Sequence, residues 1–217
     1  MRNFFSLLIF NILIGHSTAL KTLLRELGWH RALKVISRVC VQAVRNNPFK
    51  ALNEKNKDIS WQEKNSQRQI LPALHLYDAL LANGFDGEEA LKIVEKVVFS
   101  VARRYLRFTV PVINETALAE HGEQDRVNVF AKLVSRFDNV IGKLTNDGND
   151  RFDLTVNQCY FSQYSHQLGY PQLASVFCKA DQEYFDQFQP CVDLVRTKTL
   201  AQDGKACDFS FRIIAKG

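Results

Sequence analysis

The residues best suited to chemistry lie in the last third of the chain. Four of the five cysteines fall there: Cys159, Cys178, Cys191 and Cys207. Cys178 and Asp181 make a Cys-x-x-Asp pair, and on a helix that spacing puts thiol and carboxylate on one face. Asp208 follows Cys207 directly, and Arg196 and Lys198 lie a few residues upstream. Such a set supports two kinds of chemistry. A thiolate can attack an electrophilic carbon, or thiolates and a carboxylate can hold a metal ion that activates water. The first needs a lowered thiol pKa. A carboxylate alone raises it, so activation requires a cation or a helix N-terminus, with Arg196, Lys198 and His166 as the nearby basic groups. The second would gather Cys159, Cys178, Asp181 and Cys207, a donor set that suits zinc although its spacing is dispersed. The plainer alternative leaves the cysteines as small buried hydrophobes and Asp181 on the surface.

These side chains must be positioned by a compact α/β unit, residues 151–217. Phe152, Leu154 and Val156 alternate with Asp153, Thr155 and Asn157, which predicts a half-buried strand with Cys159 in phase with the polar set. Residues 160–168 read as a helix, Gly169-Tyr170-Pro171 breaks it, and residues 173–188 read as a second. A strand is expected over 192–201, a tight hairpin at Asp203-Gly204, and a closing strand over 206–215. In that register Leu200 faces Cys207 and Arg196 faces Phe211. Arg196, Lys198, Leu200, Cys207, Phe209 and Phe211 then share one side, and Thr197, Thr199, Asp208, Ser210 and Arg212 the other. The Cys207 side is expected to line a pocket and Asp208 to brace the fold from the opposite face.

Upstream the pattern is helical. Residues 46–69 are polar and read as a linker. Leu74, Tyr77 and Leu81 form a stripe that ends at Asn83-Gly84, and Asp86 with Glu89 opens the next helix, whose stripe is Leu91, Val94, Val98, Val101 and Tyr105. Val127, Phe130, Val134, Phe137, Ile141 and Leu144 predict another helix, and residues 108–113 a short extended connection around Pro111. The expected fold is α+β: a helical N-terminal half, with its scaffold over 70–145, packed on a small antiparallel sheet with its own helices. His75 sits within a helical stretch and reads as structural.

Taken in order, several of these segments resemble the L-2-amino-thiazoline-4-carboxylic acid hydrolase family. They are Cys159-Tyr160, Leu168-Gly169-Tyr170-Pro171-Gln172-Leu173, Cys178-Lys179-Ala180-Asp181, Arg196-Thr197-Lys198-Thr199-Leu200, Gly204 and Cys207-Asp208-Phe209. The resemblance covers roughly 70–215; Cys191 lies outside it. It implies a hydrolase-like domain over 70–217 that opens a small cyclic amidine-like substrate with water, at a C–N bond. It makes Cys178, Asp181, Cys159 and Cys207 the catalytic candidates. Arg196, whose planar fork suits a carboxylate, is the substrate-binding candidate, with Asn157 and Lys198 beside it. A divalent metal such as zinc is the cofactor such a cysteine set would take. The rival reading is a non-catalytic small-molecule or metal sensor built on the same cysteine pocket.

Composition bounds the rest. The 217 residues are 46% hydrophobic and 24% charged, as in ordinary globular domains. Five cysteines with no Cys-x-x-Cys pair favour free thiols in a reducing compartment. The net charge of +5 is unevenly spread: residues 1–50 hold eight Lys/Arg and one acid, a net of +7, and the rest is −2. No nucleic-acid-binding motif accompanies this basic segment. Residues 4–14 are almost wholly apolar yet too short to span a bilayer as a helix. Positive charge follows that run rather than preceding it, which favours a cytoplasmic body over secretion. The basic stretch 20–44 has helical spacing. It reads equally as a solvated surface helix or as a peripheral membrane contact through residues 1–45.

Overall fold

A computed structural model describes residues 14–56, 58–114, 118, 123–146, 148, 150–202 and 204–214. The chain runs α1 (His16–Arg45), α2 (Phe49–Lys55), α3 (Trp61–Leu81), α4 (Gly87–Thr109), α5 (Glu123–Val134), β1 (Val140–Asn146), β2 (Arg151–Cys159), α6 (Tyr160–Gln167), α7 (Pro171–Phe188), β3 (Val192–Val195) and β4 (Cys207–Ile213). The four strands form one antiparallel sheet in the order β1-β2-β4-β3. The fold is α+β, as expected. Residues 4–13 of the apolar run 4–14, and Asp203 of the expected hairpin, lie outside the described residues.

The helices start and stop for local reasons. The Ser60 hydroxyl accepts from the Glu63 N–H at 3.1 Å and the Glu63 carboxylate accepts from the Ser60 N–H at 3.0 Å, a reciprocal capping box that opens α3. Asp86 caps α4 through the Glu88 and Glu89 amides. Gly84, at φ +87°, ends the α3 side of the turn, a conformation that penalises any residue with a Cβ.

Two apolar clusters result. One joins α1, α3 and α4 with Tyr160 and Tyr164 of α6 and with Leu173 and Val176 of α7. The other lies on the inner face of the sheet, where Phe152, Leu154, Phe209 and Phe211 meet Phe130 of α5 and Tyr184 and Phe185 of α7. The Phe130 and Phe152 rings stack at 4.0 Å. The first half of α7 therefore belongs to the helical core and its second half to the sheet core. Cys178 and Asp181 fall where the two meet.

Three expectations are corrected. The polar stretch 46–69 is not a linker but carries α2 and the start of α3. Its polar residues satisfy one another: Asn53 and Gln67 exchange two amide hydrogen bonds, at 3.1 and 2.9 Å. Paired amides can be buried at little cost, so polarity did not mean exposure there. The helix expected through Leu144 stops at Val134. Residues 140–146 are an edge strand instead, with the helical spacing of Ile141 and Leu144 fortuitous in a segment carrying β-branched Val140, Ile141 and Thr145 and a glycine. The strand expected over 192–201 ends at Val195. A 3-10 turn (Leu200–Gln202) follows, and the β3–β4 register places Val195 opposite Ser210 and Leu194 opposite Phe211. That register is two residues from the expected one. Cys207, Phe209 and Phe211 keep the inner face they were assigned and Asp208 the opposite one. Residues 196–201, however, leave the strand: Lys198, expected on the inner side, is exposed, and Thr199, expected on the other, is buried.

Candidate active site

Cys159 shows how the backbone aims a side chain. Along β2 the inward residues are Phe152, Leu154 and Val156, so Cys159 should point outward with Asn157. It is buried instead. The ladder with β1 pairs Ile141 with Gln158 and then Gly142 with Val156, leaving Asn157 as an extra residue. This β-bulge reverses the phase and turns Cys159 into the core. Gly142 makes room for it: a Cβ there would lie 2.5 Å from the Thr155 carbonyl oxygen. Cys159 then serves as the residue at the N-terminal boundary of α6.

Cys178 and Asp181 come from one face of α7, as their spacing requires. Cys207 opens β4, in the inward phase of Phe209 and Phe211. Its sulfur accepts a hydrogen bond from the Leu200 N–H at 3.1 Å, donated by the 3-10 turn that replaces the expected strand. Arg196 leaves the end of β3. Its Nη2 donates to the Cys178 carbonyl at 2.8 Å, its guanidinium carbon lies 5.1 Å from the centre of the Phe209 ring, and its Nη1 is buried without a partner. No ion pair joins Arg196 to Asp181 among the described residues. The structure thus brings Cys159, Cys178, Cys207, Asp181 and Arg196 into one electrostatic neighbourhood. Cys159 and Cys207 are buried; Cys178, Asp181 and Arg196 are half-buried and link the cluster to the surface.

Desolvation governs this cluster. Burial, reinforced by Cys159 and Asp181 and only partly offset by Arg196, pushes the Cys178 thiol up to about 12. Burial lifts Cys159 to about 11, although the amides of Ser162 and Phe161 at the start of α6 pull the other way. Cys207 is raised too, by burial against the pull of the Leu200 amide and of Arg196. All three thiols are protonated at neutral pH. Burial raises Asp181 from 3.8 to about 7, with Arg196 opposing. The group poised to exchange a proton near neutrality is therefore the carboxyl, not a thiol.

The remaining candidates stand apart. Asn157, at the bulge, and Lys198, on the β3–β4 connection, are exposed. Asp208 braces that connection. Its carboxylate accepts from the Thr197 N–H at 2.9 Å, the Lys198 N–H at 2.6 Å and the Thr197 hydroxyl. Burial pushes Asp208 up, but these bonds outweigh it and hold the group below the ordinary carboxylate value. His166 is exposed, with Nδ1 2.8 Å from the Ser162 carbonyl. His75 is buried, and desolvation lowers its pKa despite nearby Asp78. Among the described residues no three His, Cys, Asp or Glu side chains are placed to hold a metal ion. A surface groove of about 720 Å³ lies elsewhere, lined by Arg107, Phe188, Pro190 and Asp193 among others, and includes none of the cluster.

The α+β fold thus gathers a desolvated carboxyl, three thiols and an incompletely paired guanidinium in one cluster. The chain belongs to the L-2-amino-thiazoline-4-carboxylic acid hydrolase family, whose model matches residues 62–211. That span runs from the first turn of α3 into β4 and contains the whole cluster. No curated protein matches the chain.

Proposed function

We propose that this protein is a hydrolase that opens a small cyclic amidine carrying a carboxylate, of the 2-amino-thiazoline type named by its family. The observation that carries the reading is the Asp181 carboxyl, raised to about 7 beside a cation with an unpaired buried N–H group. Nη1 of Arg196 receives the substrate carboxylate; Nη2 is already engaged by Cys178, so Arg196 offers less than its full fork. The ionised Asp181 takes a proton from water as it attacks the amidine carbon. The tetrahedral adduct collapses as the same carboxyl returns the proton to the departing ring nitrogen, breaking a C–N bond. Burial keeps Asp181 near neutrality against the pull of Arg196, and protonated Cys159, Cys178 and Cys207 add no charge to the cluster. No step is assigned to a thiolate, because forming one at pH 7 is costly here.

The reaction belongs to a reducing, cytoplasmic setting, in which free thiols persist. The test is incubation of purified protein with 2-amino-thiazoline-4-carboxylate, with mass spectrometry for a product one water heavier and thiol titration of that product. Turnover lost in Asp181→Asn supports the reading. A product bearing a new free thiol would move the broken bond from C–N to C–S. Ligand binding with no turnover would instead make the pocket a sensor.

A further inference from the structure

α1 is bent at Gly28 (φ +71°, ψ +168°), and its second arm carries three distinct faces. Ala32 and Val35, fully buried, with Ile36 and Val39 partly so, pack against the helical core. A second stripe has nothing over it among the described residues: Trp29 is 63% exposed, Val44 88%, and Leu33 and Val41 are exposed as well. A third consists of Arg31, Lys34, Arg38 and Arg45, all exposed. At 3.6 residues per turn, the four exposed apolar residues fall within an arc of about 120°, which exposed His30 and Ser37 share. The four cations occupy an adjoining arc of about 60°, between the apolar arc and the buried face.

These cations, with Lys21 and Arg25 on the first arm, form no ion pair among the described residues. Elsewhere Lys92, Lys96, Lys179, Arg126 and Arg151 each have a carboxylate. Exposed Arg103, Arg104, Lys132 and Lys143 form no ion pair among the described residues either, so it is the clustering on one arc beside apolar residues that marks α1. The one acid of the helix, Glu26, is taken by Lys96 of α4. An apolar arc beside an uncompensated basic arc needs a partner that is apolar and anionic together. A second copy would bring like charges face to face, and residues 1–13 carry no acid.

We infer that the second arm of α1 lies in the interface of an anionic lipid surface, with Trp29, Leu33, Val41 and Val44 inserted among the acyl chains and the cations on the headgroups. No described helix is long and apolar enough to cross a membrane, so this contact is peripheral. α4 packs against α1 and against α7, so the cysteine cluster stands a helix layer away from the lipid and stays accessible.

The test uses the full chain with Trp61→Phe, which leaves Trp29 as the single tryptophan, and vesicles of phosphatidylcholine with and without phosphatidylserine. Phosphatidylserine vesicles should co-sediment the protein, shift Trp29 emission to the blue, and release the protein as salt rises. Lys34→Gln and Arg38→Gln should each weaken binding about fivefold. Leu33→Ser with Val44→Ser should abolish the shift while circular dichroism is unchanged. Absence of a phosphatidylserine preference overturns the inference. So does binding unaffected by these variants, which would put the contact in residues 1–13, or a Trp29 shift that follows protein concentration without lipid, which would indicate a second copy.

Discussion

Replacing Asp181 by asparagine removes a carboxyl that the folded protein holds near pH 7 and the unfolded chain releases near 3.8. Between those values the folded state binds the extra proton, so this group makes stability fall as pH rises through the window. Above pH 7 the whole cost is present, about 4 kcal/mol at most, from roughly 1.4 kcal/mol per pH unit between the two values. At pH 5 only the first part has accumulated, about 2 kcal/mol. The Asp181→Asn protein escapes the cost at every pH. It should therefore be more stable than the parent, and its advantage should grow by about 2–3 kcal/mol between pH 5 and pH 8. Urea unfolding of both proteins at the two pH values measures this directly, because every other titrating group cancels in the difference. The same variant should lose ring opening. In the parent, kcat/KM should rise with pH and level off just above 7, since the base must be ionised. An advantage independent of pH would refute the argument: Asp181 would then be an ordinary carboxylate with no claim to proton transfer.

Iodoacetamide at pH 8, mapped by mass spectrometry, should label exposed Cys40 first and Cys159, Cys178 and Cys207 far more slowly, since burial keeps their thiols protonated. Labelling of Cys178 as fast as Cys40 would reopen thiolate catalysis. Gly142→Ala should cost about 1–3 kcal/mol in chemical denaturation, because its Cβ meets a backbone oxygen that cannot retreat without undoing the bulge. Asp208→Ala should cost less, about 1 kcal/mol, because water can reach the exposed Thr197 and Lys198 amides that lose their acceptor, and it should raise KM more than it lowers kcat if Arg196 is displaced with that connection.

Much of the site was legible because its spacings are local. Cys178 and Asp181 share a face by helical geometry alone. Cys207 and Asp208, being adjacent, take opposite faces of their strand whatever its register with β3. With Phe209 and Phe211 in phase with Cys207, the inner side falls to Cys207 and the bracing one to Asp208 even though the expected register is two residues out. What could not be read was anything set by a second chain segment. The bulge at Asn157 exists only because β1 pairs with β2 and Gly142 yields space, and the segment supplying β1 reads as helix. The Asn53–Gln67 amide pair is likewise invisible until two helices meet. Nor does composition reveal that burial desolvates Asp181 more than Arg196 can offset, which shifts the proposed role from thiolate to carboxyl.

The junction of the two cores explains why the chemistry sits where it does. α7 must satisfy the helical cluster with Leu173 and Val176 and the sheet with Tyr184 and Phe185. Between these, one turn of helix faces neither core fully, and there Cys178 and Asp181 stand. The sheet contributes Cys207 and, through the bulge, Cys159; the end of β3 contributes Arg196. Each of these donors is fixed by contacts that serve packing as well: Cys207 by the Leu200 amide, Arg196 by the Cys178 carbonyl and the Phe209 ring. Burial of the carboxyl at this seam raises its pKa toward neutrality, against the pull of Arg196.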